Sequence, residues 1–251
     1  KEAYRAMEEA NKAKSLFLSS MSHDIRTPMN GIIGMTQIAM KYRDDPDKVQ
    51  DCLEKIDESS KHLLGLINEV LDMSKIESGN TELHNEKTDL IKILEGVADM
   101  CRPTVQEKEQ KFVLEIQEMK NACVYVDPVR LRQVLINLVS NAVKYTPEKG
   151  CVEVFAQQVE CTRKGIGTYR IVVKDNGIGM SEEFLPQLFE PYARETRFAA
   201  QKIAGTGLGM PIVKNLVTQM SGQIQVESRL GEGTTFTLVL PLEAVRSQEM
   251  E

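Results

Sequence analysis

One histidine stands where its ring could act as a nucleophile. Residues 1 to about 77 have a helical period, and apolar side chains recur in them every seven positions. With Leu18 as the first position of that repeat, His23 falls on the side of the helix furthest from the apolar seam. The pattern predicts an exposed imidazole, which can be a neutral nucleophile near pH 7. A lone surface histidine is more often a solvated polar residue, so both interpretations stay open here.

The residues that follow His23 favour the functional interpretation. Pro28 lies inside the helical pattern, where it removes the backbone bond to the carbonyl of Asp24 and forces a kink that costs about 3 kcal/mol. Thr27, one turn after the histidine, falls on a similar side of the helix. Asp24 is adjacent to His23, and its carboxylate must swing across to reach the ring because neighbouring helix residues do not face each other. These features suggest a shaped site.

A second predicted helix carries polar side chains along one face. Asp127 followed by Pro128 is a favourable N-cap with proline at the first helical position, so we predict a helix from there to about Tyr145. Four polar residues recur on it at helical spacing, opposite an apolar face. They are Gln133, Asn137, Asn141 and Lys144. An ordinary solvated helix face would give the same pattern.

Two glycine-rich segments have the composition of nucleotide-binding loops. DNGIGM, residues 175–180, directly follows a predicted strand; its glycines let the backbone approach a planar ring, and Asp175 can accept a hydrogen bond from an exocyclic amine. GTGLGM, residues 205–210, opens a predicted helix whose N-terminal amides and dipole favour anions. Each motif is weak by itself, since a plain turn has a similar composition.

The first of two regions that would position these residues is a helical hairpin. Its two arms are separated at residues 43–48, where Asp and Pro indicate a turn. Each arm has one apolar stripe. The stripes are Leu18, Ile25, Ile32, Ala39, Met21, Pro28, Met35 and Tyr42, and then Val49, Ile56, Leu63, Val70, Leu53, Leu66, Ile67 and Met73. A lone hairpin covers both stripes poorly, so we predict that two copies form a four-helix bundle.

Beyond the residues Ser78-Gly79-Asn80, whose Gly and Asn are typical of a helix end, the pattern changes to mixed helix and strand. Strands are predicted at 111–117, 152–159, 169–174, 223–227 and 234–240. Helices are predicted to begin near Asp127, Ser181 and Leu208. The second region is therefore expected to be a sheet with helices packed on it, of the α+β class.

Composition excludes several functions. The net charge of −6, from 37 acidic and 31 basic residues, repels polyanions, so nucleic acid is a poor ligand. The five cysteines lack the CxxC spacing of zinc ribbons and redox motifs and are expected to be free thiols. No apolar run is long enough to span a bilayer. We expect a soluble, cytoplasmic portion of a longer protein that is anchored in the inner or plasma membrane.

Residues 17–35, FLSSMSHDIRTPMNGIIGM, resemble the phosphoacceptor box of sensor histidine kinases, especially hybrid kinases. The match covers His23, Asp24, Arg26, Thr27, Pro28 and Asn30. In that family the histidine nitrogen attacks the γ-phosphorus of ATP and the adjacent acid orients or deprotonates the ring. The threonine one turn later helps a water remove phosphate from the partner protein. The resemblance thus implies catalytic roles for His23, Asp24 and Thr27.

Five further segments resemble the nucleotide-binding parts of the same family. NLVSNAVKYT, residues 137–146, implies that Asn141 holds Mg²⁺, that Asn137 supports it, and that Lys144 and Tyr145 flank phosphate and adenine. Residues 188–204 resemble the phenylalanine box and a mobile lid, with Arg194 near the γ-phosphate and Tyr192 where Phe is commoner. GEGTTFTLVLP, residues 231–241, resembles the closing strand. With the glycine boxes, the implied nucleotide ligands also include Asp175, Gly177, Gly179, Gly205, Thr206, Gly207, Leu208, Gly209 and Thr234.

Five boxes in one order, from about residue 15 to 241, imply a complete architecture. The implied parts are a signalling coiled-coil linker (1–14), a dimerisation and histidine phosphoacceptor domain (15–78), and a catalytic ATP-binding domain (81–245). The fold implied is a dimeric four-helix bundle followed by an α+β sandwich of the gyrase, chaperone and histidine kinase type.

The resemblance implies autophosphorylation of His23 from Mg-ATP in a homodimer. The phosphoryl group would then pass to an aspartate of a response-regulator receiver domain, in cis or in trans, and a phosphatase activity is a further expectation. Two other classes are compatible with parts of the sequence. A nucleotide-responsive scaffold would bind ATP and transfer nothing. An ATPase would need a water-activating acid on the helix where Asn137 and Asn141 stand.

Overall fold

The computed structural model describes residues 2–78, 82–117, 119–163, 165–193 and 206–245, without the side chains of residues 2–20, 23, 77 and 161–163. The chain divides into two compact units. The first comprises residues 1–79 with 202–208, and the second comprises residues 80–201 with 209–251.

The first unit contains a helical hairpin. Helix α1 spans Glu2–Lys41 and helix α2 spans Pro46–Glu77, so the predicted break at 43–48 separates them. Asp45 is the N-cap of α2, where its side chain accepts the N–H of Lys48 at 3.2 Å, and Pro46 takes the first helical position. Helix α1 continues through Pro28. Helix α2 ends at the cap Ser78, and the predicted terminal residues Gly79 and Asn80 lie outside the described part.

Packing within one hairpin covers the predicted stripes incompletely. Of the stripe residues, Met21, Pro28, Leu66 and Met73 are buried. Most other stripe residues with a described side chain are half-buried, among them Ile25, Ile32, Met35, Ile56 and Leu63. Leu53 and Ile67, which the sequence analysis counted with the stripe of the second arm, remain 52% and 41% exposed. One hairpin thus leaves apolar surface facing water, as the stripes predict.

The second unit is a mixed sheet with helices on one face. Its strands are β1 (Glu86–Asp89), β2 (Lys111–Gln117), β3 (Cys123–Val126), β4 (Cys151–Arg163), β5 (Ile166–Asp175), β6 (Gln223–Arg229) and β7 (Gly233–Ala244). Its helices are α3 (Leu90–Glu107), α4 (Pro128–Tyr145) and α5 (Gly209–Gln219), with a short 3-10 helix at Leu185–Gln187. The strand order is β1-β3-β7-β5-β4-β2, and β6 pairs with β7. Within the described sheet β2 and β4 run parallel, and the other neighbours are antiparallel.

The core lies between the sheet and the helices. Burial alternates along β5, where Tyr169, Ile171 and Val173 point inward as expected for a strand with one covered face. The facing side of α4 is apolar and buried through Leu131, Val134, Leu135 and Leu138. The two layers that the α+β prediction requires are therefore present.

Five predicted strands correspond to β2 and β4–β7, whereas other elements differ from the sequence analysis. No α-helix begins near Ser181 in the described residues; the Ser181 hydroxyl instead accepts the N–H of Phe184 at 3.3 Å, and the short 3-10 helix follows. The sequence analysis missed α3, although Asp89 caps it by accepting the N–H of Ile91 at 2.9 Å. It also missed the four-residue strands β1 and β3.

In the described part of the chain, four cysteines are free thiols, namely Cys52, Cys101, Cys123 and Cys151. Burial raises the pKa of the Cys101 thiol, which disfavours its reactive thiolate form. Among the described helices, none combines the length and apolar character needed to cross a membrane.

Candidate active site

Helix α4 holds the predicted polar row. The buried carboxylate of Asp127 accepts the N–H groups of Val129 and Arg130, each at 3.0 Å, and its second oxygen accepts the N–H of His84 at 3.0 Å. The start of the helix is therefore fixed to the segment before β1. The predicted row, Gln133, Asn137, Asn141 and Lys144, is half-buried throughout. Partial burial along the whole row favours the lining of a cleft over an ordinary solvated face.

Asp175 ends β5 and lies opposite Thr234 of β7 in the strand register. Its carboxylate is buried and accepts the N–H of Gly177 at 2.8 Å. Burial raises the pKa of Asp175, while hydrogen bonds from the backbone N–H groups of Gly177 and Thr234 oppose that rise. A carboxylate can accept more hydrogen bonds than these two, so it is suited to accept one from an amine of a bound ring.

The DNGIGM loop begins at Asp175, the last residue of β5, and lies against the last turn of α4. The N–H of Ile178 donates to the carbonyl of Tyr145 at 3.2 Å. A Cβ added to Gly177 would lie 2.6 Å from that carbonyl oxygen, so only glycine permits this approach. Tyr145 and Asp175, which the sequence analysis assigned to one pocket from separate motifs, are therefore joined through this loop.

The hairpin between β6 and β7 supports the same loop from the other side. Gly179 has φ +64°, and a Cβ on it would overlap the carbonyl of Arg229. The N–H of Gly231 donates to the carbonyl of Ile178 at 2.8 Å. Both glycines of DNGIGM thus have a steric reason to be glycine.

Ser228 links this hairpin to the loop and was missed by the sequence analysis. Its hydroxyl accepts the N–H of Met180 at 2.9 Å, donates to the carbonyl of Gly233 at 2.9 Å, and lies 2.9 Å from the hydroxyl of Thr234. Asn176 was missed as well; its side-chain oxygen accepts the N–H of Cys151 at 2.7 Å. In the sequence, the position of Ser228 just before the GEGT segment was the available indication of a contact with the nucleotide-binding loops.

The structure describes part of the GTGLGM segment, residues 206–210. Gly209 begins α5, and a Cβ on it would lie 3.7 Å from the amide of Asn137, so these two predicted ligands are neighbours. Gly207 has φ +74°. Leu208 is buried, and its N–H donates to the hydroxyl of Thr206 at 3.2 Å. The predicted ligands Gly205 and Arg194 lie outside the described residues.

The predicted phosphoacceptor lies on α1. His23 falls within that helix, but its side chain is outside the described part, so its predicted exposure stays a prediction. Asp24 is half-buried, Thr27 is exposed and Pro28 is buried. The threonine is thus accessible to solvent one turn after the histidine.

The described pocket residues can together receive a purine ring and a polyphosphate. Asp175 provides a hydrogen-bond acceptor, and Gly177 and Gly179 let a ring approach the backbone closely. The polar row on α4 provides amide oxygens and an ammonium group. Among the described residues no cluster of three or more His, Cys, Asp or Glu side chains could hold a metal by itself. A cation here would need amide oxygens and groups of a ligand, which fits a hard ion such as Mg²⁺.

Comparison with known proteins identifies two domain families in the chain. Residues 13–79 match the model of the His Kinase A phospho-acceptor domain. Residues 126–244 match the model of the histidine kinase-, DNA gyrase B- and HSP90-like ATPase. The two matches coincide with the helical hairpin and with most of the mixed sheet.

Curated relatives extend along almost the whole chain. The autoinducer 2 sensor kinase/phosphatase LuxQ of Vibrio parahaemolyticus is 37% identical over 240 residues, which make up 96% of this chain and 28% of that protein. Sensor protein GacS of Pseudomonas syringae pv. syringae is 39% identical over 243 residues, 97% of this chain and 26% of that protein. This chain therefore spans 26 to 28% of the length of these two relatives.

A solved structure is similar in fold. The crystal structure of full-length ShkA in complex with AMPPNP matches with a TM-score of 0.67 and 29% identity, over 92% of this chain and 46% of that one. A phosphoacceptor domain and an ATPase domain in one chain, with sensor kinases as relatives, show that this chain belongs to the histidine kinases as the catalytic core of a sensor kinase.

Proposed function

We propose that this chain binds Mg-ATP in the region that matches the ATPase model, residues 126–244, phosphorylates itself on His23, and passes the phosphoryl group to an aspartate of a response-regulator receiver domain. The observation that carries the proposal is the pairing of the buried Asp175 carboxylate with the DNGIGM loop and the last turn of α4. This arrangement would form an adenine site in a chain that also bears a phosphoacceptor-domain match.

The nucleotide would be held by groups of different chemistry. Asp175 would accept the adenine amine, and Gly177 and Gly179 would admit the ring against the backbone. Asn141, supported by Asn137, would hold Mg²⁺, whose positive charge would offset the charge of the phosphates. Lys144 and Tyr145 would flank phosphate and adenine; the ammonium of Lys144 lies 4.9 Å from the centre of the Tyr145 ring. The remaining proposed ligands are Gly205, Thr206, Gly207, Leu208, Gly209, Thr234 and, near the γ-phosphate, Arg194.

The proposed first reaction moves one phosphoryl group. A ring nitrogen of His23 attacks the γ-phosphorus, an N–P bond forms, the bond from phosphorus to the ADP oxygen breaks, and ADP leaves. Asp24 would orient the ring and take its proton. In the second step a receiver carboxylate attacks the same phosphorus, the N–P bond breaks, and neutral histidine is restored after it regains a proton.

The proposed assembly is a homodimer through residues 15–78, preceded by a linker over 1–14 and followed by the catalytic domain over 81–245. Apolar stripe residues that one hairpin leaves exposed support the dimer. The relationship to LuxQ and GacS supports a hybrid sensor kinase and a receiver partner, and we also propose a cytoplasmic position beside an upstream membrane anchor.

Labelled ATP tests the proposal directly. With Mg²⁺, the chain should gain about one phosphoryl group per phosphoacceptor, and this label should be lost in acid and kept in base, as expected for an N–P bond. His23→Gln should abolish the label and leave AMPPNP binding unchanged. An acid-stable product, or label that persists in His23→Gln, would refute the assignment. ATP binding without any label would favour the nucleotide-responsive scaffold.

A phosphatase activity is proposed for Thr27, because its exposed hydroxyl lies one turn after His23 and the LuxQ relative is named a kinase/phosphatase. Thr27→Ala should leave autophosphorylation largely intact and slow dephosphorylation of a phosphorylated receiver. Thr36→Ala is a matched control, since Thr36 is exposed about two and a half turns further on and its hydroxyl donates to the carbonyl of Ile32 at 2.7 Å. If both activities fall together in Thr27→Ala, a separate phosphatase role is wrong.

A further inference from the structure

The last turn of α4 has an unusual set of hydrogen-bond partners. A helix leaves its final carbonyls without partners inside the helix, and these groups need others when they are buried. The last bond of helical type here joins the N–H of Thr146 to the carbonyl of Ala142 at 3.0 Å. The following carbonyls, of residues 143–147, are all bonded to groups outside the helix.

Lys108, at the C-cap of α3, supplies three of those bonds. Its ammonium donates to the carbonyls of Val143, Lys144 and Thr146 at 2.9, 2.8 and 3.0 Å. An ammonium has three N–H donors, so each is used on α4. A positive charge at a helix C-terminus is also favoured by the helix dipole.

Gln110, two residues further on, adds a second set. Its side-chain amide nitrogen lies 3.0, 2.7 and 3.2 Å from the carbonyl oxygens of Val143, Thr146 and Pro147, and its two N–H donors are shared among these three acceptors. Gln110 is 8% exposed, so these bonds are made away from water. Backbone bonds reinforce the junction, because the N–H of Lys149 donates to the carbonyl of Lys108 at 3.1 Å.

The carbonyl of Tyr145 is bonded in another way. It lies between the carbonyls that Lys108 and Gln110 hold, and it accepts the N–H of Ile178 in the DNGIGM loop at 3.2 Å. The carbonyls on either side thus fix the orientation of the Tyr145 peptide, and that peptide meets the loop that follows Asp175. The polar contacts run from α3 through the end of α4 to the candidate adenine site.

We infer that Lys108 and Gln110 are positioning residues for nucleotide binding. They hold the end of α4, so that the Tyr145 carbonyl keeps the DNGIGM loop in the position from which Asp175 can bond the nucleotide. The inference rests on the proposed function for its nucleotide. It assigns a binding role to two residues that lie outside every nucleotide box described above.

A general stabilising role would predict a different outcome. If these side chains only stabilised the second unit, their loss would lower the unfolding temperature and leave the folded chain with its normal loop. The positioning role requires a local change at the loop in chains that remain folded. Hydrogen exchange at the Ile178 amide reports that change without any nucleotide.

The test uses four variants of the full chain. Lys108→Met removes the ammonium and keeps the stem, whereas Lys108→Arg keeps charge and donors. Gln110→Leu removes the amide donors without changing charge, and it provides the test if Lys108→Met does not fold. Lys111→Met is the matched control, because Lys111 is an exposed lysine three residues further on.

Lys108→Met and Gln110→Leu should speed exchange at Ile178 and weaken binding of Mg-AMPPNP by about tenfold, roughly the contribution of one hydrogen bond between the displaced loop and the nucleotide. The Met220 amide, which donates to the carbonyl of Leu216 at 3.0 Å, should keep its rate. Lys108→Arg should restore both properties, and Lys111→Met should resemble the unsubstituted chain.

Two results would overturn the inference. One is unchanged Ile178 exchange in both Lys108→Met and Gln110→Leu. The other is weaker nucleotide binding in Lys111→Met equal to that in Lys108→Met. If the unsubstituted chain binds no nucleotide, the proposed function fails by itself, and the exchange rate at Ile178 still decides whether Lys108 and Gln110 position the loop.

Discussion

The carboxylate of Asp175 accepts the backbone N–H of Gly177 at 2.8 Å, and Asp175 is 8% exposed. Asp175→Asn keeps an oxygen for Gly177 and replaces the other acceptor with an amide NH₂, which cannot accept from adenine. Affinity for Mg-AMPPNP should fall about ten- to a hundredfold, the cost of roughly 1.5–3 kcal/mol for a charge-assisted bond. Titration calorimetry measures this.

A surface control separates this effect from a change of charge. Asp99→Asn removes one carboxylate from an exposed pair with Arg102 on α3, and exposed pairs contribute little. Its affinity should match that of the unsubstituted chain. Equal affinities in Asp175→Asn and Asp99→Asn would contradict the adenine role.

The pH dependence of stability should reveal the burial of Asp175. Burial raises its pKa above the ordinary value of 3.8. Between that value and the raised pKa, the folded chain holds a proton that the unfolded chain has lost, so this residue makes the free energy of unfolding fall as pH rises. The amide in Asp175→Asn does not titrate. The stability of the variant minus that of the unsubstituted chain should therefore grow as pH rises through this window.

Urea unfolding without nucleotide, at a series of pH values from below 3.8 upward, measures this difference. Other carboxyl groups titrate alike in both proteins, so they cancel when the two curves are subtracted. A difference that is flat, or that shrinks as pH rises, would contradict the raised pKa.

Gly179 should tolerate no side chain. Gly179→Ala places a Cβ at φ +64° against the carbonyl of Arg229. The left-handed backbone alone costs roughly 1–2 kcal/mol, and the overlap adds to it. Thermal unfolding should show a lower midpoint. Gly96→Ala, inside α3 with no atom within 4 Å of its added Cβ, should instead stabilise the chain by about 0.5–1 kcal/mol. Equal shifts for both variants would exclude the steric explanation.

The predicted dimer depends on apolar side chains of α2 that one hairpin leaves in water. Leu53→Glu with Ile67→Glu places two carboxylates on residues that are 52% and 41% exposed. Light scattering at micromolar concentration should change from dimer to monomer, because a bundle interior cannot hold unpaired charges. Val129→Glu, on an exposed residue of the second unit, should leave the dimer intact. A dimer that persists in the double variant would exclude this seam.

Elements with strong local patterns were predictable from the sequence. Asp127-Pro128 marked the start of α4 within one residue, since capping and proline geometry act locally. Burial alternates along β5 and most of β7, because one face of the sheet is covered. Strands β1 and β3 were missed because four residues are too few to show a period.

Long-range contacts were beyond the sequence analysis. The bonds from Lys108 to the end of α4 join residues 35 to 38 positions apart, and no local pattern distinguishes this lysine from its neighbours. Ser228 reaches Met180 across 48 positions. The motifs indicated which residues carry chemistry, whereas the residues that hold those motifs in place appeared with the fold.

The position of β7 has a consequence for how this domain is made. That strand pairs with β3, β5 and β6, yet it is the final strand of the described chain. Its link to β3 consists of Val124 beside Ala244 and Tyr125 beside Glu243. During synthesis, residue 244 must therefore leave the ribosome before the pairing of the sheet is complete. Until then β3 and β5 each present an open edge, and a nascent chain stalled before that point would be exposed to edge-to-edge aggregation.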